Sequence, residues 1–178
     1  MIAIDPPHLL GLEVDRFRSE LHAIYAALDA EVAALAPRCE LSGRCCRFRE
    51  YGHTLFISAP EAALLLDEAE STSRPLDDGA TCPWQDGAGL CTARNARPLG
   101  CRVYFCDPSF QEHLSPLSER YLTRLKSLAQ RLNLPWNYAP LHVHLCSANE
   151  EGRFPRPRDL VRERTRRCDD HAEETMIS

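Results

Sequence analysis

Seven of the nine cysteines of this chain are crowded into two short segments, CELSGRCC at 39–46 and CPWQDGAGLCTARNARPLGCRVYFC at 82–106. This crowding constrains the fold more than any other feature. Cys39, Cys45, Cys46, Cys82, Cys91, Cys101 and Cys106 lie between the long helical patterns and outside them. At 178 residues the chain is long enough to bury a core without a covalent staple, so the thiols need a chemical explanation. An odd total of nine also cannot pair off completely. Cys146 and Cys168 have no cysteine neighbour at short range and read as small buried hydrophobes.

The first seventeen residues, MIAIDPPHLLGLEVDRF, have no basic n-region, and Asp5, Pro6 and Pro7 break their apolar run. No signal peptide is expected from them. No apolar run approaches the ~20 residues that a spanning helix needs, so no membrane association is expected either. A cytoplasmic location follows as the expectation, and there clustered thiols stay reduced and serve metals more often than disulfides. The net charge of -5 disfavours nucleic acid as a partner. The seven arginines from Arg153 to Arg167 precede Asp169, Asp170, Glu173 and Glu174 and read as a solvated, self-compensating tail more readily than as a phosphate-contacting arm.

Helical signals flank the cysteine segments. Val14, Phe17, Leu21, Ile24, Leu28, Val32 and Leu35 recur at intervals of three and four, which predicts an amphipathic helix ended by Pro37. His22 lies beside that stripe and reads as a surface or core-edge residue. Thr54–Ile57 reads as a short strand. Ser58 with Glu61 and Pro60 then marks a capped helix start, with the helix reaching about Glu70. Residues 71–81 have loop composition.

Asp86-Gly87 predicts a hairpin that draws Cys82 towards Cys91, while Gly89 and Gly100 offer backbone freedom around the site. Ser115 and Pro116 predict the start of a third long helix, which Asn133 and Pro135 stop. Leu141–Leu145 alternates with period two and is expected to be a strand. His142 and His144 would then share a face, open either to solvent or to a metal. The expected architecture is a mainly helical α+β domain with cysteine-rich loops and short strands around a metal or iron–sulfur site. One domain spans 1–150 and a charged tail spans 151–178.

Spacing narrows the chemistry. Structural zinc sites favour cysteine pairs with two to four residues between them, and Cys101/Cys106 is the one pair that qualifies. The wide, uneven remaining gaps suit an iron–sulfur cluster, which recruits thiolates from separate loops. Adjacent Cys45 and Cys46 are expected to diverge, one ligating while the other faces the core. No CxxC, P-loop, GxGxxG or CxxxCxxC motif is present, which argues against a thioredoxin-like, nucleotide-binding or radical-generating enzyme.

The ordered set Cys39, Cys45-Cys46, Cys82-Pro83, Cys91, Arg97-Pro98-Leu99-Gly100-Cys101-Arg102 and Cys106 resembles the YkgJ-type cysteine-cluster family of zinc- or iron-chelating domains. The likeness covers residues 39–106. Ser42 stands where members of the family often carry a further cysteine, three residues after Cys39. The resemblance implies metal or cluster binding.

The resulting expectation is a protein with one [4Fe–4S]-type cluster held by four of the seven motif cysteines, acting in redox or cluster-dependent chemistry on a partner or substrate that the pattern does not name. The alternative is a structural or chelating zinc protein that acts as a binding module. Arg97 and Arg102 are expected beside the centre, offsetting thiolate charge and donating to sulfur.

Overall fold

The structure is a computed structural model, and it describes residues 11–154. The expectations for Cys168 and for the tail beyond residue 154 lie outside the described residues. The elements are α1 (Gly11–Leu35), β1 (Phe56–Ser58), α2 (Ala59–Glu68), α3 (Leu99–Val103), α4 (Gln111–Arg131), β2 (Tyr138–Pro140) and α5 (Leu141–Glu150). β1 and β2 form a two-stranded antiparallel ribbon in which Ile57 faces Ala139. The mainly helical α+β architecture stands. No helix among the described residues is long and apolar enough to cross a membrane.

Two apolar clusters divide the interior. In the first, the stripe of α1 (Phe17, Leu21, Ile24, Leu28, Val32) packs against Leu117, Tyr121, Leu125 and Leu128 of α4 and against Leu99 and Val103 of α3. Leu35, the last residue of the expected stripe, is 42% exposed because the helix has run past its partners. The second cluster joins Ile57, Leu65 of α2, Leu141 and Leu145 of α5, and the buried Trp84 to Cys46 and Cys82. The cysteine segments are thus part of a core.

The capping box expected at Ser58 and Glu61 is present, and α2 starts there. Asn133 adopts φ +51° and stops the third long helix as expected. Two expectations are corrected. α4 begins at Gln111, one turn before Ser115–Pro116, and Pro116 lies inside it. Asp107–Pro108 supplies an earlier start of the same kind: the Asp107 carboxylate accepts from the Ser109 N–H at 2.9 Å, and a short 3-10 turn over Pro108–Phe110 leads into the helix.

Residues 141–145 are the start of helix α5, not a strand. Over five residues a period of two and an i, i+4 pair put apolar residues at the same ends, and Leu141, Leu145 and Ala148 continue with helical spacing on the buried face. His142 and His144 therefore do not share a face. The His144 ring nitrogen Nε2 lies 3.1 Å from the Ile57 carbonyl, and burial lowers its pKa below the usual histidine range. His142 packs on Gly79. His22 lies 2.8 Å from a Glu68 carboxylate oxygen and ties α1 to α2.

Candidate metal centre

The hairpin expected at Asp86-Gly87 forms. Asp86 N–H donates to the Leu90 carbonyl at 2.9 Å, its side chain accepts from the N–H groups of Ala88 and Leu90, and Gln85 bridges to Cys91. Trp84 is fully buried beneath the turn, with its indole N–H donating to the Glu70 carbonyl at 2.9 Å. The other fragment docks directly on this hairpin. Cys82 N–H donates to the Cys46 carbonyl at 2.7 Å, and the Gln85 amide donates to both the Gly43 and Gly89 carbonyls. Gly43 sits at φ +67°, so close to the hairpin that a Cβ there would lie 2.2 Å from the Gly89 carbonyl oxygen. Gly89 is left-handed as well, whereas Gly100 serves a different need: a side chain there would meet Leu55 at 2.6 Å.

Helix α3 brings in Cys101. Its first N–H, that of Leu99, donates to Glu61 at 2.8 Å. One residue past Cys101, the buried Arg102 donates to the carbonyls of Asn95 and Arg97 at 2.7 Å each, pairs with Asp29 at 2.5 Å, and lies 4.2 Å from the centre of the Tyr25 ring. The Arg102 fork is therefore committed to bracing α3 against α1. Arg97 and Arg94 line the cavity between the fragments instead.

All seven motif cysteines line that one cavity, which has a volume of about 70 Å³. None of the seven is in a disulfide. Cys45 and Cys46 do not diverge. The tight 3-10 turn over Arg44–Cys46 leaves their sulfurs 4.0 Å apart on the same side. Cys82 and Cys91 also act on the Cys46 thiol, and the Cys82 N–H donates to the Cys46 carbonyl. Among the described residues no three His, Cys, Asp or Glu side chains converge closely enough to grip a single ion: the thiols surround a space.

Electrostatics separate these thiols. The hydrogen bond from Cys46 holds Cys45 down at about 6 against the opposing effect of burial, and the Arg97 and Arg94 guanidiniums add to the lowering. Cys91 is brought to about 7, chiefly by the neighbouring Cys46 thiol, again with help from Arg97. Cys46 is pushed far up by its neighbours, first Cys45 and then Cys82 and Cys91. Burial pushes the Cys101 thiol well up, and the neighbouring Cys82, Cys91 and Cys45 add to it.

In the metal-free protein, alkylation of Cys45 is therefore expected to rise through about pH 6 and that of Cys91 through about pH 7. Cys101 should stay unmodified at both values. Peptide mapping after brief alkylation checks this, and uniform labelling of all seven would contradict the arrangement.

Cys39 and Cys106 stand apart at the mouth. Cys39 is exposed, and Cys106 is half-buried with its sulfur 3.8 Å from the Ser42 hydroxyl. Cys146 is buried on α5, does not line the cavity and is disulfide-bonded, so it is not the free buried thiol that the sequence suggested. Three supporting residues escape a reading by motif: Gln85, Asp107, and His53. The His53 ring stacks on Tyr104 at 4.8 Å, and its Nδ1 is buried without a hydrogen-bond partner among the described residues. Comparison of the chain with family models, with curated proteins and with solved structures finds no match.

Proposed function

We propose that this chain holds an iron–sulfur cluster of the [4Fe–4S] type between its two cysteine fragments, and uses it for electron transfer or cluster-dependent chemistry. The observation that carries this reading is that seven thiols from separated segments line one cavity of about 70 Å³. That space is several times the roughly 10–15 Å³ that one water-sized sphere needs. A bare ion gripped directly by four sulfurs leaves no such space, whereas a polyatomic inorganic group fills it. Thiolates are also the donors that iron–sulfur clusters take, and uneven spacing across loops does not hinder them. The resemblance of residues 39–106 to the YkgJ-type family points the same way.

Cys45, Cys46, Cys82, Cys91 and Cys101 are the residues from which the holding set is drawn. A bound cluster would supply one-electron chemistry or an iron able to polarise a substrate. The chain's own residues do the rest. Arg97 and Arg94 offset thiolate charge, and the buried Trp84 and half-buried Phe105 keep water from the cavity walls. Seven motif thiols left free beside the disulfide-bonded Cys146 support a reducing compartment, and on them we place the protein in the cytoplasm.

A second reading is favoured by one distance. Tetrahedral zinc with bonds of about 2.3 Å sets its sulfurs about 3.8 Å apart. The Cys45 and Cys46 sulfurs, 4.0 Å apart, come near that edge.

Anaerobic purification followed by iron, zinc and acid-labile sulfide analysis separates the two. About four iron with matching sulfide and broad visible absorption support the cluster. One zinc without sulfide makes this a metal-fastened binding module. Cys101→Ser is expected to lose the resident metal and Cys168→Ser to keep it. Equal loss from both would remove the assignment.

A further inference from the structure

We propose that the mouth of the thiol cavity is a docking surface for a small acidic protein that carries one electron at a time, and that electrons pass there between that carrier and the centre. The proposal rests on reading the centre as an iron–sulfur cluster and names the kind of partner it works with.

Two features without a partner meet at this mouth. The first is apolar. Leu41 and Leu90, one from each cysteine fragment, line the cavity and are 56% and 40% exposed. Leu41 is held at φ +51°, a left-handed conformation that a bulky side chain rarely takes. Backbone strain that leaves a leucine in water marks a place of contact with something else.

The second feature is charge. Arg44, Arg94 and Arg97 line the same cavity, and Arg38 adjoins it beside Cys39. Among the described residues none of these four guanidiniums is paired with a carboxylate, whereas nearby Arg47 and Arg49 pair with Glu50 and Asp78. The Arg97 Nε–H donates to the Arg94 carbonyl, and Arg44 lies 5.4 Å from the centre of the Tyr51 ring. Two carboxylates share the mouth. Glu40 lines the cavity, and Asp107 accepts from the Arg38 and Ser109 N–H groups at 2.9 Å each. The mouth is thus basic on a chain whose net charge is -5. Arg94 and Arg97 act inward on Cys45, which leaves the exposed Arg38 and Arg44 for a partner.

Exposed leucines beside a redox group, flanked by one sign of charge, suit a transient electron-transfer contact. The leucines exclude water where the surfaces meet, and the charges steer the approach. Cys91 follows Leu90 in the chain, so a carrier seated on Leu90 lies one residue from a thiol of the holding set. The step moves one electron from the reduced carrier to the oxidised cluster, or the reverse, and no covalent bond forms or breaks.

Cluster-loaded full-length protein mixed with an acidic plant-type [2Fe–2S] ferredoxin, in the direction that the measured potentials make downhill, tests this by stopped-flow absorbance. Both proteins are net negative, so molecules that only collided would exchange faster as salt screened their repulsion. Docking at the arginine mouth has the opposite sign. The second-order rate is expected to fall about tenfold between low and about 0.5 M salt. Arg44→Glu should lower the low-salt rate about tenfold and meet the wild type at high salt. Leu41→Asn, which suits a left-handed backbone but removes the apolar contact, should be slow at every salt concentration. Both variants should keep the iron, sulfide and visible spectrum of the wild type. A basic c-type cytochrome should exchange with Arg44→Glu no more slowly than with the wild type, which separates a lost docking surface from a damaged centre.

A rate that rises with salt, or one that Arg44→Glu leaves unchanged at low salt, would overturn the proposal. So would a mouth that ignores ferredoxin and binds inorganic pyrophosphate, since the arginines would then serve a small anionic substrate. Failure of the cluster reading looks different. The purified protein would then be colourless and free of sulfide, whatever ferredoxin does at its surface.

Discussion

Glu61→Ala is expected to lower the unfolding free energy of the metal-free protein by roughly 3–5 kcal/mol, since buried donors left unsatisfied cost about 1–3 kcal/mol each. The side chain is 2% exposed and accepts four hydrogen bonds. One oxygen takes the Ser58 N–H at 2.9 Å and the Ser58 hydroxyl at 2.8 Å. The other takes the Leu99 N–H at 2.8 Å and the Tyr25 hydroxyl at 3.0 Å. One carboxylate thus caps α2, starts α3 by accepting from the Leu99 N–H, and anchors α1.

Glu61→Gln keeps the shape and one accepting oxygen but turns an amide N–H₂ towards the Ser58 N–H. It should fall between the alanine variant and the wild type. Tyr25→Phe removes a single donor and should cost about 1 kcal/mol. Urea titrations of the four proteins check the order. An alanine variant no less stable than Tyr25→Phe would show that the carboxylate is not the hub that joins these helices. Because Leu99 is two residues before Cys101, the same substitution should also weaken metal retention.

The role of Glu61 shows what a sequence can and cannot disclose. Ser58, Pro60 and Glu61 mark a helix start through local chemistry, and local chemistry is written in neighbouring residues. The bonds from Tyr25 and Leu99 span 36 and 38 residues, and no spacing rule reports them. The amphipathic stripes of α1 and α4 were legible for the same local reason: a period of three to four over five or more turns has no strand counterpart. Residues 141–145 were not, because five residues are too few to separate a period of two from an i, i+4 pair.

Within the site, the seven cysteines were legible from their crowding and the hairpin from Asp86-Gly87. Arg102 has the residue type suited to a thiolate neighbour, yet its fork braces α3 against Asp29 and Tyr25. Residue type alone does not report direction. The place of Arg38 at the cavity mouth likewise depends on its bond to Asp107, a contact across 69 residues.

Gly43→Ala is expected to remove the proposed centre while leaving every thiol in the chain. Two costs add at this position. The backbone lies at φ +67°, where a residue with a Cβ is strained by roughly 1–2 kcal/mol. The added carbon would also fall 2.2 Å from the Gly89 carbonyl oxygen and 2.5 Å from the Gln85 amide nitrogen. A carbonyl oxygen in a hydrogen-bonded turn cannot swing aside as a side-chain tip can, so the fragment carrying Cys45 and Cys46 must move off the hairpin carrying Cys82 and Cys91. That movement breaks the bond from Gln85 to the Gly43 carbonyl and opens the thiol cluster.

Resident metal should fall to background, and the metal-free protein should lose about 3 kcal/mol or more, in the range of severe backbone and overpacking substitutions. Gly52→Ala is the control. Gly52 has a similar φ of +62° but nothing within 4 Å of the added carbon, so it carries the conformational cost alone. It should cost about 1–2 kcal/mol and keep its metal. Metal analysis and urea denaturation of the two variants side by side isolate the close approach between the fragments. If they behave alike, the contact of Gly43 with Gly89 is not what holds the two halves of the centre together.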